Sequence, residues 1–141
     1  MASRAPDEPA PRPVGHDQIG DSLQLPILRF HLSGEVEHLR RQDAWWSGTG
    51  PSSTTLVKHP DLRVVLVSMR GGERMPEHRT AARITVQALS GHIRLHLPSG
   101  VEDLPAGHLL VLDHELHHDV EALEDSAFLL TLAWPTDENC P

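Results

Sequence analysis

Cysteine is nearly absent from this 141-residue sequence: Cys140, next to the last residue, stands alone. It has no partner for an internal disulfide, which fits a reducing compartment and gives an oxidising one no support. Long apolar runs are missing as well. No stretch approaches the roughly 18 uncharged residues of a membrane span. The first residues, MASRAPDEPAPRPVGHDQIGD, lack the apolar core of a secretory signal. A cytoplasmic location without membrane contact is therefore expected. Cations are scarce: 12 Lys and Arg stand among 20 Asp and Glu, for a formal charge of -8. Phosphate backbones are bound by clustered Lys and Arg, so nucleic acid is not an expected partner. The nearest basic cluster is Arg40-Arg41, followed by Trp45-Trp46. Its simplest reading is the solvated face of a short helix.

What is present suits one domain with a single two-layer core. Residues 1–24 carry Pro6, Pro9, Pro11 and Pro13 among small and charged residues. Such a segment buries too little to offset its ordering entropy, so a disordered tail is expected there. Residues 25–53 are expected to form one short helix, about Gly34 to Trp46, and a linker. Ser33 would cap it, Glu35 and Glu37 would suit its first turn, and Leu32, Val36, Leu39 and Trp46 would share a face. That face is expected to cover the open edge or end of a sheet.

From Thr54 the period changes to two. Thr54–Lys58, Leu62–Arg70, Arg83–Leu89, His92–Leu97, Leu109–Leu112, His118–Ala122 and Ser126–Trp134 read as strands, rich in Val, Ile, Leu and Thr. Turn residues separate them: His59-Pro60-Asp61, Gly71-Gly72, Ser90-Gly91, Pro98-Ser99-Gly100 and Pro105-Ala106-Gly107. Leu62–Met69 is apolar on both faces except at Arg63 and Ser68, as a strand covered on both sides would be. Many short strands with little helix predict an all-β antiparallel sandwich or barrel over residues 54–135, followed by a short tail at 136–141.

In this frame the chain resembles the cupin superfamily of small RmlC-like β-barrels (jelly rolls). The first cupin pattern, G-x5-H-x-H-x(3,4)-E-x6-G, falls on Gly72, His78, Thr80, Ile84 and Gly91 without a gap. The second, G-x5-P-x-G-x2-H-x3-N, falls on Gly107, Asp113, Glu115, His118 and Ala122. Gly72, His78, Gly91, Gly107 and His118 match; the other five positions differ. The resemblance implies a barrel interior that holds iron, manganese, nickel, copper or zinc on three histidines and a glutamate. Here Thr80 stands for the second histidine and Ile84 for the carboxylate, so His78 and His118 remain. His114 and Glu77 are the residues near enough in sequence to complete a set of three with water. Without metal, the implied pocket is lined by His78, Thr80, Ile84, His118 and, less directly, Gln87 or Met69.

The run from His114 to His118 does not carry the zinc-protease pattern. That pattern needs histidines four apart on a helix, and His114 and His117 are three apart in a loop leading to a strand. His92 and His96, on the polar side of an alternating strand, are expected to face solvent. Two functional readings stay open: a module that encloses a small molecule or a divalent metal, and a small metal-dependent enzyme of dioxygenase or isomerase type. The family resemblance also implies a homodimer, through edge-strand pairing or burial of Trp45 and Trp46.

Overall fold

The computed structural model describes residues 26–48, 50–78 and 80–135, without the side chains of Glu77 and His78. The Pro-rich tail over 1–24, the tail at 136–141 and Cys140 lie outside the described residues. Among the described residues two short helices come first, α1 (Leu32–Arg40) and α2 (Asp43–Ser47). Strands follow: β1 (Ser52–Lys58), β2 (Leu62–Met69), β3 (Arg74–His78), β4 (Arg83–Ser90), β5 (His92–Leu97), β6 (Gly100–Pro105), β7 (Leu109–Leu112), β8 (His118–Ala122) and β9 (Ser126–Ala133). They form a five-stranded sheet in the order β1-β2-β9-β4-β7 and a four-stranded sheet in the order β3-β8-β5-β6. Every described pairing is antiparallel. The all-β reading therefore holds.

The period of two decides what lies between the sheets. In β4, Ile84, Val86 and Ala88 are buried while Arg83 and Gln87 are exposed. In β5, Ile93 and Leu95 are buried, and in β8 His118, Val120 and Ala122 are. With Val67, Met69, Leu104, Leu112 and Phe128 these apolar side chains make one continuous core. Each fully buried Val, Leu, Ile or Phe contributes roughly 1.5–3 kcal/mol relative to an exposed one.

The apolar character of β2 on both faces has a direct cause. Val67 and Met69 enter the core between the sheets. Leu66, on the other face, joins Leu39, Leu56 and Val57, with Leu28, Phe30, Leu32 and Val36 packed against them. The helix thus lies on the outer face of the five-stranded sheet, not over an edge or end as expected. It is also broken. Helix α1 starts at Leu32 with His31 at its N-cap, and Ser33 does not cap it; its hydroxyl sits 3.0 Å from the His31 ring. Gln42 takes extended backbone angles between the two helices, which changes the helical phase. Trp45 is consequently the buried tryptophan, at 6% exposure, and Trp46 is exposed at 68%.

The two strands missing from the sequence reading, β3 and β6, are the two edges of the four-stranded sheet. Edge strands need little alternation and tolerate Pro76 and clustered charge. In β6 only Leu104 is fully buried.

Candidate functional site

The candidate site lies where β3 ends and β8 begins. Their register pairs His78 with His118, after an irregularity between Met75 and His78. A bulge of this kind re-aims residues at a barrel rim. Residues 113–117 lead into β8, and a backbone bond from Glu115 N to Thr80 O at 2.9 Å ties them to the loop after β3. The side chains of Arg83 and Asp113 add an exposed ion pair at 2.9 Å on the same rim.

His118 is a buried histidine, 3% exposed, on the inward side of β8. Its Nδ1 lies 2.9 Å from the carbonyl oxygen of Leu116. A carbonyl only accepts, so Nδ1 carries a hydrogen and the ring is oriented through that bond. This is how proteins commonly orient a histidine that must present Nε2 to a metal or to a donor on a ligand.

The remaining sequence-derived residues divide. Ile84 is 2% exposed within the core and pairs in register with Leu112. Met69 is wholly buried in the same core. Thr80 is half-buried, and its Oγ1 accepts a hydrogen bond from Ala82 N at 3.2 Å. Gln87 does not line the interior: three residues from Ile84, it has the opposite parity and is exposed on the outer face of β4. His114 is exposed in the turn before β8, with its backbone N bonded to Asp113 Oδ1 at 3.1 Å. Glu77 belongs to β3. His92 and His96 are half-buried rather than solvent-facing, and His96 Nε2 lies 2.9 Å from Glu121 Oε1.

The metal set implied by the resemblance fits this geometry only in part. An apolar core residue holds the carboxylate position, and a threonine engaged with the backbone holds that of the second histidine. Among the described residues no three His, Cys, Asp or Glu side chains are grouped to hold a metal. Metal binding would rest on His118 together with His78 and Glu77, whose side chains are not described.

Backbone geometry keeps the turns of both patterns. Gly91 and Gly107 have φ of +80° and +88°. Glu115, where the second pattern has glycine, has φ of +66° and is the one described non-glycine residue in the left-handed region. That turn survives although its residue has changed. The sequence signal for it was the spacing, not the letter.

Two packed antiparallel sheets with a buried histidine at the start of β8 make up the site's frame. No family model matches the sequence, and no curated protein matches it either. Solved structures do match. A cupin superfamily protein from Desulfitobacterium hafniense DCB-2 is similar over 62% of this chain and 80% of its own, at 16% identity and a TM-score of 0.59. KdgF from Halomonas sp. is similar over 64% and 85%, at 23% identity and a TM-score of 0.57. A point variant of salicylate 1,2-dioxygenase from Pseudoaminobacter salicylatoxidans is similar over 74% of this chain but 34% of its own, at 13% identity and a TM-score of 0.66. The chain has the cupin fold.

Proposed function

We propose that this protein encloses a small organic molecule at the His118 end of its barrel. The observation that supports this most is His118 itself: a 3% exposed imidazole, oriented through Nδ1 by the Leu116 carbonyl. Fixing the tautomer suits a group that must meet a hydrogen-bond donor inside an apolar barrel. The apolar Ile84 and the backbone-bonded Thr80 favour an organic ligand over a metal at the same depth. The reading extends to a cytoplasmic setting, in keeping with a single cysteine. It also extends to a homodimer. The edge strand β7, whose Leu109 and Val111 are 60% and 57% exposed, offers the surface for one. A monomeric mass in solution at micromolar concentration would end the dimer part.

A divalent metal held by His118, His78 and either Glu77 or His114 is the second reading, and with it a small metal-dependent enzyme. The same Nδ1 bond favours it, because metal-binding histidines are oriented in this way. The deciding experiment is the metal content of purified, untagged protein by mass spectrometry, on wild type and on His78→Ala/His118→Ala. Near-stoichiometric metal in the wild type, lost in the double variant, would overturn the organic-ligand reading. Metal-free protein that resists reconstitution is the expected result.

A further inference from the structure

Arg40 closes α1 beside Arg41, where the sequence suggests a solvated face. The structure turns Arg40 inward. Its Nε donates to Ser68 Oγ at 3.0 Å, and its guanidinium stands 4.8 Å from the centre of the Trp45 ring. Arg70, just beyond the end of β2, approaches the same ring at 5.5 Å and donates Nη1 to the Trp45 carbonyl at 2.6 Å. Two guanidinium groups therefore share one buried indole. Neither has a carboxylate partner among the described residues, although acidic side chains outnumber cations 20 to 12 in the chain. Glu73 accepts the backbone N–H of Arg70 at 3.0 Å, not its guanidinium.

Two polar atoms at this place have no hydrogen-bond partner among the described residues. Arg40 Nη2 is buried without an acceptor, and Ser52 Oγ is buried without any partner, on a residue 7% exposed. Ser52 pairs in register with Ser68. Its Cβ is therefore about 5 Å from that of the serine that Arg40 already holds, on the same face of the sheet. Buried polar groups are almost always bonded, and a charged donor is the costliest to leave unmet. A water would satisfy Ser52 but leave both cations uncompensated. The cluster calls for an acceptor with negative charge, which a guanidinium and a hydroxyl bind well.

We infer that Arg40, Arg70 and Ser52, clustered where α1, α2 and the paired ends of β1 and β2 meet, bind a small oxyanion, a phosphate or carboxylate group. Arg40 Nη2 and Ser52 Oγ donate to it, and Arg70 supplies the second charge. The site is separate from the barrel interior, because Val67 and Met69 face the core while Leu66 and Ser68 face the helices.

The test uses the full chain with inorganic phosphate and with acetate, against chloride at matched ionic strength, followed by calorimetric titration and thermal unfolding. Phosphate or acetate is expected to bind and to raise the unfolding temperature above that in chloride. Ser52→Ala removes a hydroxyl that bonds nothing among the described residues, so the fold should hold while affinity falls by about tenfold. Arg40→Lys should weaken binding at least as much; if it does not fold, Arg70→Gln replaces it. Equal behaviour in both anions and chloride overturns the site. So does anion binding that Ser52→Ala and the arginine variant leave unchanged, which would mark an adventitious ion only.

Discussion

His118 donates its Nδ1 hydrogen to the carbonyl oxygen of Leu116, two residues earlier, at 2.9 Å. The bond closes the loop leading into β8 and fixes which ring nitrogen faces the interior. His118→Ala leaves that carbonyl without its partner beside a buried void. It should lower stability by about 1–3 kcal/mol, read as a lower urea midpoint at unchanged slope. His118→Phe fills the volume but not the bond and should recover only part of the loss. A His118→Ala variant as stable as wild type would mean that the bond does not hold the loop.

Gly91 and Gly107 both have positive φ, yet their surroundings differ sharply. A Cβ on Gly91 would meet Asp125 O and Ser126 Oγ, each at 2.3 Å, and Ser126 Cα at 2.7 Å. Ser126 cannot yield cheaply, since its Oγ accepts from His92 N at 2.9 Å and donates to Glu124 O at 2.6 Å. Around Gly107 nothing lies within 4 Å of an added Cβ. Gly107→Ala should therefore cost only the left-handed strain, about 1–2 kcal/mol. Gly91→Ala adds backbone displacement and should cost roughly 2–5 kcal/mol in all. Equilibrium unfolding of the two variants side by side checks the order, and equal losses would contradict it.

These contrasts also show what a sequence can and cannot display. The strands covered on at least one face, such as β5 with Ile93 and Leu95 inward, announce themselves by alternation. The edge strands β3 and β6 do not, because Pro76 and the charges of Gly100–Pro105 satisfy no period. Gln87 has the parity opposite to Ile84, so the alternation itself turns it outward. An unbroken helix would bury Trp46; the extended angles of Gln42, which leave no mark in composition, bury Trp45 instead. The pair of His78 and His118 is what the resemblance to the cupin patterns implies, and the strand register sets the two residues opposite each other. The Arg40 cluster was not legible. It depends on Ser52 and Ser68 meeting across two strands, which no local pattern records.

The outer face of the four-stranded sheet is charged, and its titration has a definite sign. Arg94 Nε donates to Asp103 Oδ1 at 2.7 Å, and this bond holds the Asp103 carboxyl below its ordinary value of 3.8. A carboxyl depressed in the folded state stabilises above its unfolded pKa, and that contribution fades as pH falls through the lower folded value. The unfolding temperatures of wild type and Asp103→Asn should therefore differ at neutral pH and converge below about pH 3.8. Both partners are well exposed, so the difference should be small and should shrink further in high salt. A gap that widened on acidification would reverse the assignment.

Adjacent tryptophans differ sharply in burial. Trp45 is 6% exposed beneath Arg40 and Arg70, whereas Trp46 is 68% exposed. Trp46→Ser removes little buried area and should change stability by less than about 0.5 kcal/mol. It should cost no more than a weak contact with Arg70, whose guanidinium lies 5.9 Å from that ring. Trp45→Ala opens a large void and strips two cations of their aromatic neighbour, and should cost about 3–5 kcal/mol. Fluorescence supplies an independent reading. Removing Trp46 should shift the emission maximum to shorter wavelength, because the most exposed indole is lost and half-buried Trp134 remains with Trp45. A red shift on removing Trp46, or comparable destabilisation by the two substitutions, would mean that α2 presents the other indole to the sheet.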